Sequence, residues 1–284
     1  MAKKIIQYIV ATILALAILG LVVINILSTS ILNKGYIISK LQTQQYYDKI
    51  YEETESNFEN YIHQSGLDED VLKDIVSKEK IEKDTKIILN NIYNGMDEKI
   101  DTKEIKEKLN ENINNSLNGK ISSSEQKSID TFVDTICKEY ETTILHTNYE
   151  KKIHETIEKI NKYIDLSKKA MMIIIGVSVI LLILLTIRRI YRIISKIGVA
   201  FIIDGLILVL AKKYIGSNIK VDTIKLLNNG ISDVLQSILN EMIGKVLKTG
   251  SILLALGITM IIIYGIIKSI RKAKREKDQY TPEN

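Results

Sequence analysis

A single cysteine, a single proline and no tryptophan set limits on this 284-residue chain before any motif does. With Cys137 as the only thiol, no intrachain disulfide can form, so the fold is held by packing alone. Its neighbours Phe132, Val133, Ile136 and Tyr140 read Cys137 as a small buried apolar residue. Scarce Pro and Trp beside abundant Ile, Lys, Asn and Tyr are the residue usage of an AT-rich genome and point to a bacterial source. Catalytic signatures are missing as well: there is no nucleophile elbow, phosphate loop, zincin motif or dinucleotide fingerprint. The long apolar segments contain one carboxylate and neither His nor Cys. These absences argue against an enzyme. No catalytic, cofactor-binding or metal residue is assigned, and no cofactor is expected.

What the chain does have is four apolar runs: Ile5 to Leu27, Ala170 to Ile187, Ile197 to Ala211 and Ser251 to Ile267. The first opens behind Lys3 and Lys4 as a signal peptide would, and Ala15-Leu16-Ala17 mimics a cleavage site. The run continues unbroken to Leu27, however, past the roughly 7–15 residues of a signal-peptide core, so it reads as an uncleaved anchor. Its 23 positions cover roughly 34 Å at about 1.5 Å per residue, enough for a hydrocarbon core of about 30 Å. The third run is short, reaching only about 22 Å, and carries Asp204 at its middle. Flanking Lys196, Lys212 and Lys213 can snorkel, which lets it span.

Charge sets the orientation. Residues 33–168 hold 27 Asp and Glu against 20 Lys and Arg, a net of −7, so the remainder of the chain carries +12 of the total +5. The basic residues sit beside the apolar runs: Lys3 and Lys4, then Arg188, Arg189, Arg192 and Lys196, then Lys268, Arg271, Lys272, Lys274, Arg275 and Lys277. By the positive-inside rule these three clusters are cytoplasmic, both termini included, and the acidic segment lies outside a cell membrane. The basic pI is therefore a membrane-orientation signal and not a sign of nucleic-acid binding. Tyr8, Tyr191 and Tyr264 fall at the inner interface and Tyr36, Tyr163 and Tyr214 at the outer one, as aromatic belts do.

The predicted fold is all-α: four transmembrane helices, a large helical extracytoplasmic domain between the first and second, and an amphipathic helix between the third and fourth. In order, the parts are 1–32 with the first span, the helical domain 33–168, the second span 169–187, a basic loop 188–196, a short third span 197–211, an extracytoplasmic amphipathic segment 212–250, the fourth span 251–267 and a basic tail 268–284. Within 33–168 apolar residues recur at threes and fours, without period-2 strands. A first helix is predicted to continue outward through Leu41, Tyr47, Ile50, Phe58 and Ile62 to a stop at Ser65-Gly66. A second runs from an Asp68 cap to Asn94-Gly95. A third runs from the capping-box spacing of Asp101 and Glu104 to Asn118-Gly119. A last one runs from serines 122–124 toward the second span, with a stutter or break at Thr147-Asn148. In the amphipathic segment Leu227, Ile231, Val234, Leu235, Ile238, Met242 and Val246 line one side, a face expected to pack under the helical domain rather than lie on the leaflet.

Two sets of residues invite a functional reading. Asp204 must face the bundle interior, as a hydrogen-bonded packing contact or as a proton or ion relay, with Thr259 or Ser178 as partners. His146, Glu150, His154 and Glu158 fall at four-residue steps near one helical face, which reads as a solvated His–Glu face or as a metal or pH-sensing one. The i, i+4 His pair of a zincin and the Glu-x-x-His of a di-iron bundle are both absent. Ala11 with Ala15 and Ser251 with Ala255 offer small-xxx-small steps for close helix approach.

The expected function is non-enzymatic: the outer helical domain binds a protein, peptide or envelope component, with the lipid bilayer and protein partners as its surroundings. The alternative is a permease-like or accessory subunit of a transport or export complex. One span, a large outer domain and three more spans form a layout that resembles the permease subunit of the cell-division ABC transporter, and Phe201 to Gly205 is similar to part of that family's third helix. The resemblance implies an ATPase partner. The chain departs from that family in lacking a cytoplasmic amphipathic helix before the first span and in having an outer domain without strands.

Overall fold

The computed structural model describes residues 2–117, 122–144, 150–218 and 229–279. Every regular element among them is helical, and four helices are long and apolar enough to cross a membrane. The chain divides into two compact units. The first comprises Met1–Ser30, Asn161–Val221 and Leu239–Asn284, and the second Ile31–Ile160 and Asp222–Ile238.

The second unit is built from α2 (Lys34–Thr43), α3 (Tyr46–Ser65), α4 (Lys78–Asn94), α5 (Lys103–Ser116) and α6 (Ser123–Thr143), with the start of α7 (Glu150–Thr186) and of α9 (Asn229–Gln279). Helix α3 packs on α4 and α6, and α5 on α6. Ile50 and Phe58 of α3, Ile81 and Ile88 of α4, Ile105, Leu109 and Ile113 of α5, and Val133 and Ile136 of α6 form its buried core. Burial of such side chains contributes about 1.5–3 kcal/mol each relative to exposure.

Helix ends follow local chemistry. Gly66 (φ +73°) and Gly95 (φ +68°) take the left-handed conformation that closes α3 and α4. Ser122 and Glu125 form a reciprocal capping box at the start of α6. Asp68 caps only a short 3-10 turn, Glu69–Leu72, and the helix proper begins after Ser77, whose hydroxyl accepts from the Lys80 amide. Asp101 accepts from the Lys103 amide one step outside the helix, with Thr102 in the cap position. The predicted stop at Asn118-Gly119 and the join at Thr147-Asn148 lie outside the described residues.

The predicted first helix is divided. It ends at Ser28, resumes as α2 after Asn33, whose side chain accepts from the Tyr36 amide, and breaks again at Gln45, which adopts φ +52° without glycine. The second break turns Tyr46 and Tyr47 inward, both buried. Conversely, the amphipathic segment and the fourth apolar run are one helix, the 51-residue α9. Gly250, where a boundary was expected, is helix interior. Helix α8 (Arg192–Asn218) also extends beyond the short apolar run on both sides; at about 1.5 Å per residue its 27 residues reach about 40 Å.

The first unit contains α1 (Ala2–Ser28), the remainder of α7 and α9, and α8. Its core joins Val10 and Leu14 of α1 to Leu182 of α7, with Ile18, Ile175, Val179, Leu185 and Ile197 packed around them. Ala11 and Ala15 are buried there, as the small-residue spacing requires, whereas Ser251 and Ala255 are exposed. The close approach in α9 uses glycines instead. A Cβ on Gly205 would lie 2.7 Å from the Gly250 carbonyl oxygen, and one on Gly257 would lie 2.7 Å from the Gly198 carbonyl oxygen. The stacked rings of Tyr191 and Tyr264, 5.8 Å apart, continue the same antiparallel register. Both glycine pairs are needed for the backbones of α8 and α9 to touch.

Candidate apolar binding cavity

In the second unit, four chain segments each present an apolar stripe to a shared hollow of about 390 Å³. Ile31 and Leu32 precede α2, which adds Ile37 and Leu41. Helix α4 supplies Leu89, Ile92 and Tyr93, helix α7 supplies Ile153, Ile157 and Ile160, and helix α9 supplies Ile231, Val234, Leu235 and Ile238. The spacing within each helix is three or four, so each contributes one face. The volume lies within the roughly 300–1,000 Å³ range of small-molecule pockets. Among the described residues no charged side chain lines the hollow.

The walls are fastened at their rims by polar contacts. The Tyr93 hydroxyl donates to the Ile31 carbonyl at 2.7 Å, which consumes the one polar side-chain group in the lining among the described residues. Burial pushes that phenol up to about 12, so it stays neutral at any physiological pH. Lys34 donates to the Asn90 side chain at 2.8 Å, tying α2 to α4. Lys49 of α3 pairs with Asp233 of α9 at 2.5 Å, and Gly230 lies against the Tyr46 ring, where a Cβ would come within 3.1 Å. The amphipathic start of α9 therefore packs on the helical unit by its apolar face.

The candidate residues on α7 serve the same wall. His154 Nδ1 is 3.1 Å from the Ile92 carbonyl, an acceptor only, so Nδ1 carries the proton. The ring lies over Gly95, where a Cβ would come within 2.5 Å of Nε2. Glu150 accepts from the Asn91 side chain at 2.7 Å. Glu158 is exposed, and His146 lies outside the described residues. Glu150 and His154 thus clasp the end of α4, and no group of three or more metal-ligating side chains occurs among the described residues.

Asp204 is placed in the first unit, on α8 directly before Gly205, and is wholly buried. Neither carboxylate oxygen has a hydrogen-bond partner among the described residues. The two expected partners do not reach it: Thr259 is exposed and donates to the Ala255 carbonyl of its own helix, and Ser178 is buried on α7 with no bond to the carboxylate.

Sequence reasoning found the apolar faces of α7 and α9 but not the space they enclose, because Ile31, Leu32 and the end of α4 enter it only after the chain breaks at residues 29–33. Compared with known proteins, the chain matches no protein-family model, no curated protein and no solved structure.

Proposed function

We propose that this chain is a multi-pass cell-membrane protein with both termini cytoplasmic, and that its helical unit lies outside the membrane and binds an envelope lipid by its hydrocarbon chain. The observation that carries the reading is the 390 Å³ hollow whose lining, among the described residues, is uncharged and has a single polar side-chain group, already bonded. An extended peptide placed there would leave backbone groups without partners, each costing about 1–3 kcal/mol, and a helix about 10 Å wide would not fit. An alkyl or prenyl chain makes no such demand. The orientation rests on the segregation of Lys and Arg around the apolar helices.

The test is the lipid retained by the full chain purified from native membranes in mild detergent, measured by native mass spectrometry. Parent protein keeps a tightly held lipid; Leu235→Trp or Ile157→Trp, which fill the hollow, lower that retention at least tenfold while the melting temperature holds. Equal retention in parent and filled variants refutes the reading.

Asp204 favours a second reading, an accessory or permease-like subunit of a transport complex, since a buried intramembrane carboxylate with no hydrogen-bond partner among the described residues is costly to keep. Co-purification of an ATPase with the full chain is the outcome that selects it.

A further inference from the structure

We propose that the first unit holds a phosphate-binding site where the start of α1 meets the end of α7, and that its occupant is the headgroup phosphate of an anionic phospholipid. A hollow of about 340 Å³ is lined there by Lys3 and Lys4 of α1 and by Arg189 and Arg192 beyond α7, over a floor of Gln7 and Thr186. The floor is already bonded. Gln7 Nε2 donates to the Leu185 carbonyl at 3.1 Å, which pins the two helices together, and the Thr186 hydroxyl donates to the Leu182 carbonyl. The unmet demand is charge. None of the four cations makes an ion pair among the described residues, and no Asp or Glu occurs at positions 1–47 or 166–203.

The neighbouring cations are engaged differently. Lys196 sits over the Tyr8 ring at 3.2 Å, Arg271 over Tyr191 at 4.5 Å, and Lys272 reaches Glu276 at 3.6 Å. Orientation by positive charge requires no hollow. Four uncompensated cations, contributed from positions more than 180 residues apart and arranged around one, make a receptor for a compact anion. The two guanidinium forks match the paired oxygens of a phosphate, and the lysines add point charge. A lipid is favoured over a soluble phosphate because Ile5, Ile6, Leu184 and Ile187, beside the cations in sequence, are all more than 40 % exposed, an apolar surface along which acyl chains can lie.

The experiment compares full-length protein in nanodiscs of phosphatidylcholine with and without phosphatidylglycerol, reading bound phosphatidylglycerol by native mass spectrometry. A parallel arm titrates inorganic pyrophosphate into lipid-depleted protein. Arg189→Gln with Arg192→Gln should lower phosphatidylglycerol binding at least tenfold, and Arg189→Lys with Arg192→Lys, which keeps charge and fold, about threefold. Removing two tail cations, Lys272→Gln with Lys274→Gln, should change it less than twofold. A selective loss of pyrophosphate binding without any lipid preference would overturn the lipid assignment and leave the site as one for soluble phosphate. Equal losses from the arginine and tail variants, or no loss from either, would overturn the site itself.

Discussion

Replacing Asp84 by alanine should loosen the second unit more than any surface change of equal size. Asp84, on α4, is buried, and its Oδ2 accepts from Lys80 Nζ at 2.9 Å and from the Tyr140 hydroxyl of α6 at 2.7 Å. Lys80 also donates to the Asp101 carbonyl at 2.7 Å and lies 5.5 Å from the centre of the Tyr140 ring. In Asp84→Ala the ammonium, its side chain only 12 % exposed, keeps a single carbonyl, and the phenol has lost its acceptor. Breaking a buried pair by removing one partner costs about 3–5 kcal/mol, a large share of the roughly 5–15 kcal/mol that holds a domain. Replacing all three by Asp84→Leu, Lys80→Met and Tyr140→Phe leaves no orphan and should recover most of that loss. Cys137 provides the assay. It is the only thiol, buried on α6 three residues before Tyr140, and burial pushes its pKa up, so it reacts when the unit opens. At about 1.4 kcal/mol per factor of ten, a 3 kcal/mol loss should speed maleimide labelling of the full chain by more than about 100-fold under conditions where opening and closing are fast. Acceleration below threefold would refute the claim that the network is buried and paired.

Two further outcomes test other parts of the structure. Gly205→Leu or Gly250→Leu should separate α8 from α9 and cost at least about 1–3 kcal/mol, read as lower folded yield and melting temperature, whereas Gly244→Leu, with open space around it, should do neither. Burial pushes Tyr93 up to about 12 and, with help from the Glu82 charge, Tyr47 to about 12. Because both folded values exceed the unfolded value of about 10, their contribution is complete below pH 10 and is lost as pH rises toward 12. The slope is at most about 1.4 kcal/mol per pH unit for each tyrosine. Denaturant unfolding followed by circular dichroism should show that decline and a shallower one in Tyr93→Phe; a flat profile from pH 10 to 12 would contradict the burial argument.

Much of the helical frame was legible because its signals are local. A serine three residues before a glutamate, or a glycine after an apolar stripe, fixes a helix end wherever it occurs, and Ser122, Gly66 and Gly95 do so here. The break at Gln45 has no such mark, since a left-handed glutamine is imposed by the packing of Tyr46 and Tyr47. Asp84 and Lys80 stand at i, i+4 spacing on α4, and only the Tyr140 hydroxyl of α6, distant in sequence, makes them a buried network. The cavity gathers residues from positions 31 to 238 and the basic hollow from 3 to 192, so periodicity within one segment could describe a wall but not the space beside it. Asp204 was singled out by its charge alone, and nothing in its surrounding sequence foretold that Thr259 would turn away from it.

The glycines of α8 and α9 are seven residues apart on both helices, so two notches must engage at once. A slip of one turn that removed Gly250 from Gly205 would set Val246 there, and Leu253 would replace Gly257 against Gly198, forcing side chains toward backbone at both contacts. These paired notches therefore resist sliding of one helix past the other by a turn. Motion within this unit would then carry them as a single beam, with displacement taken up where α8 meets α1 and α7.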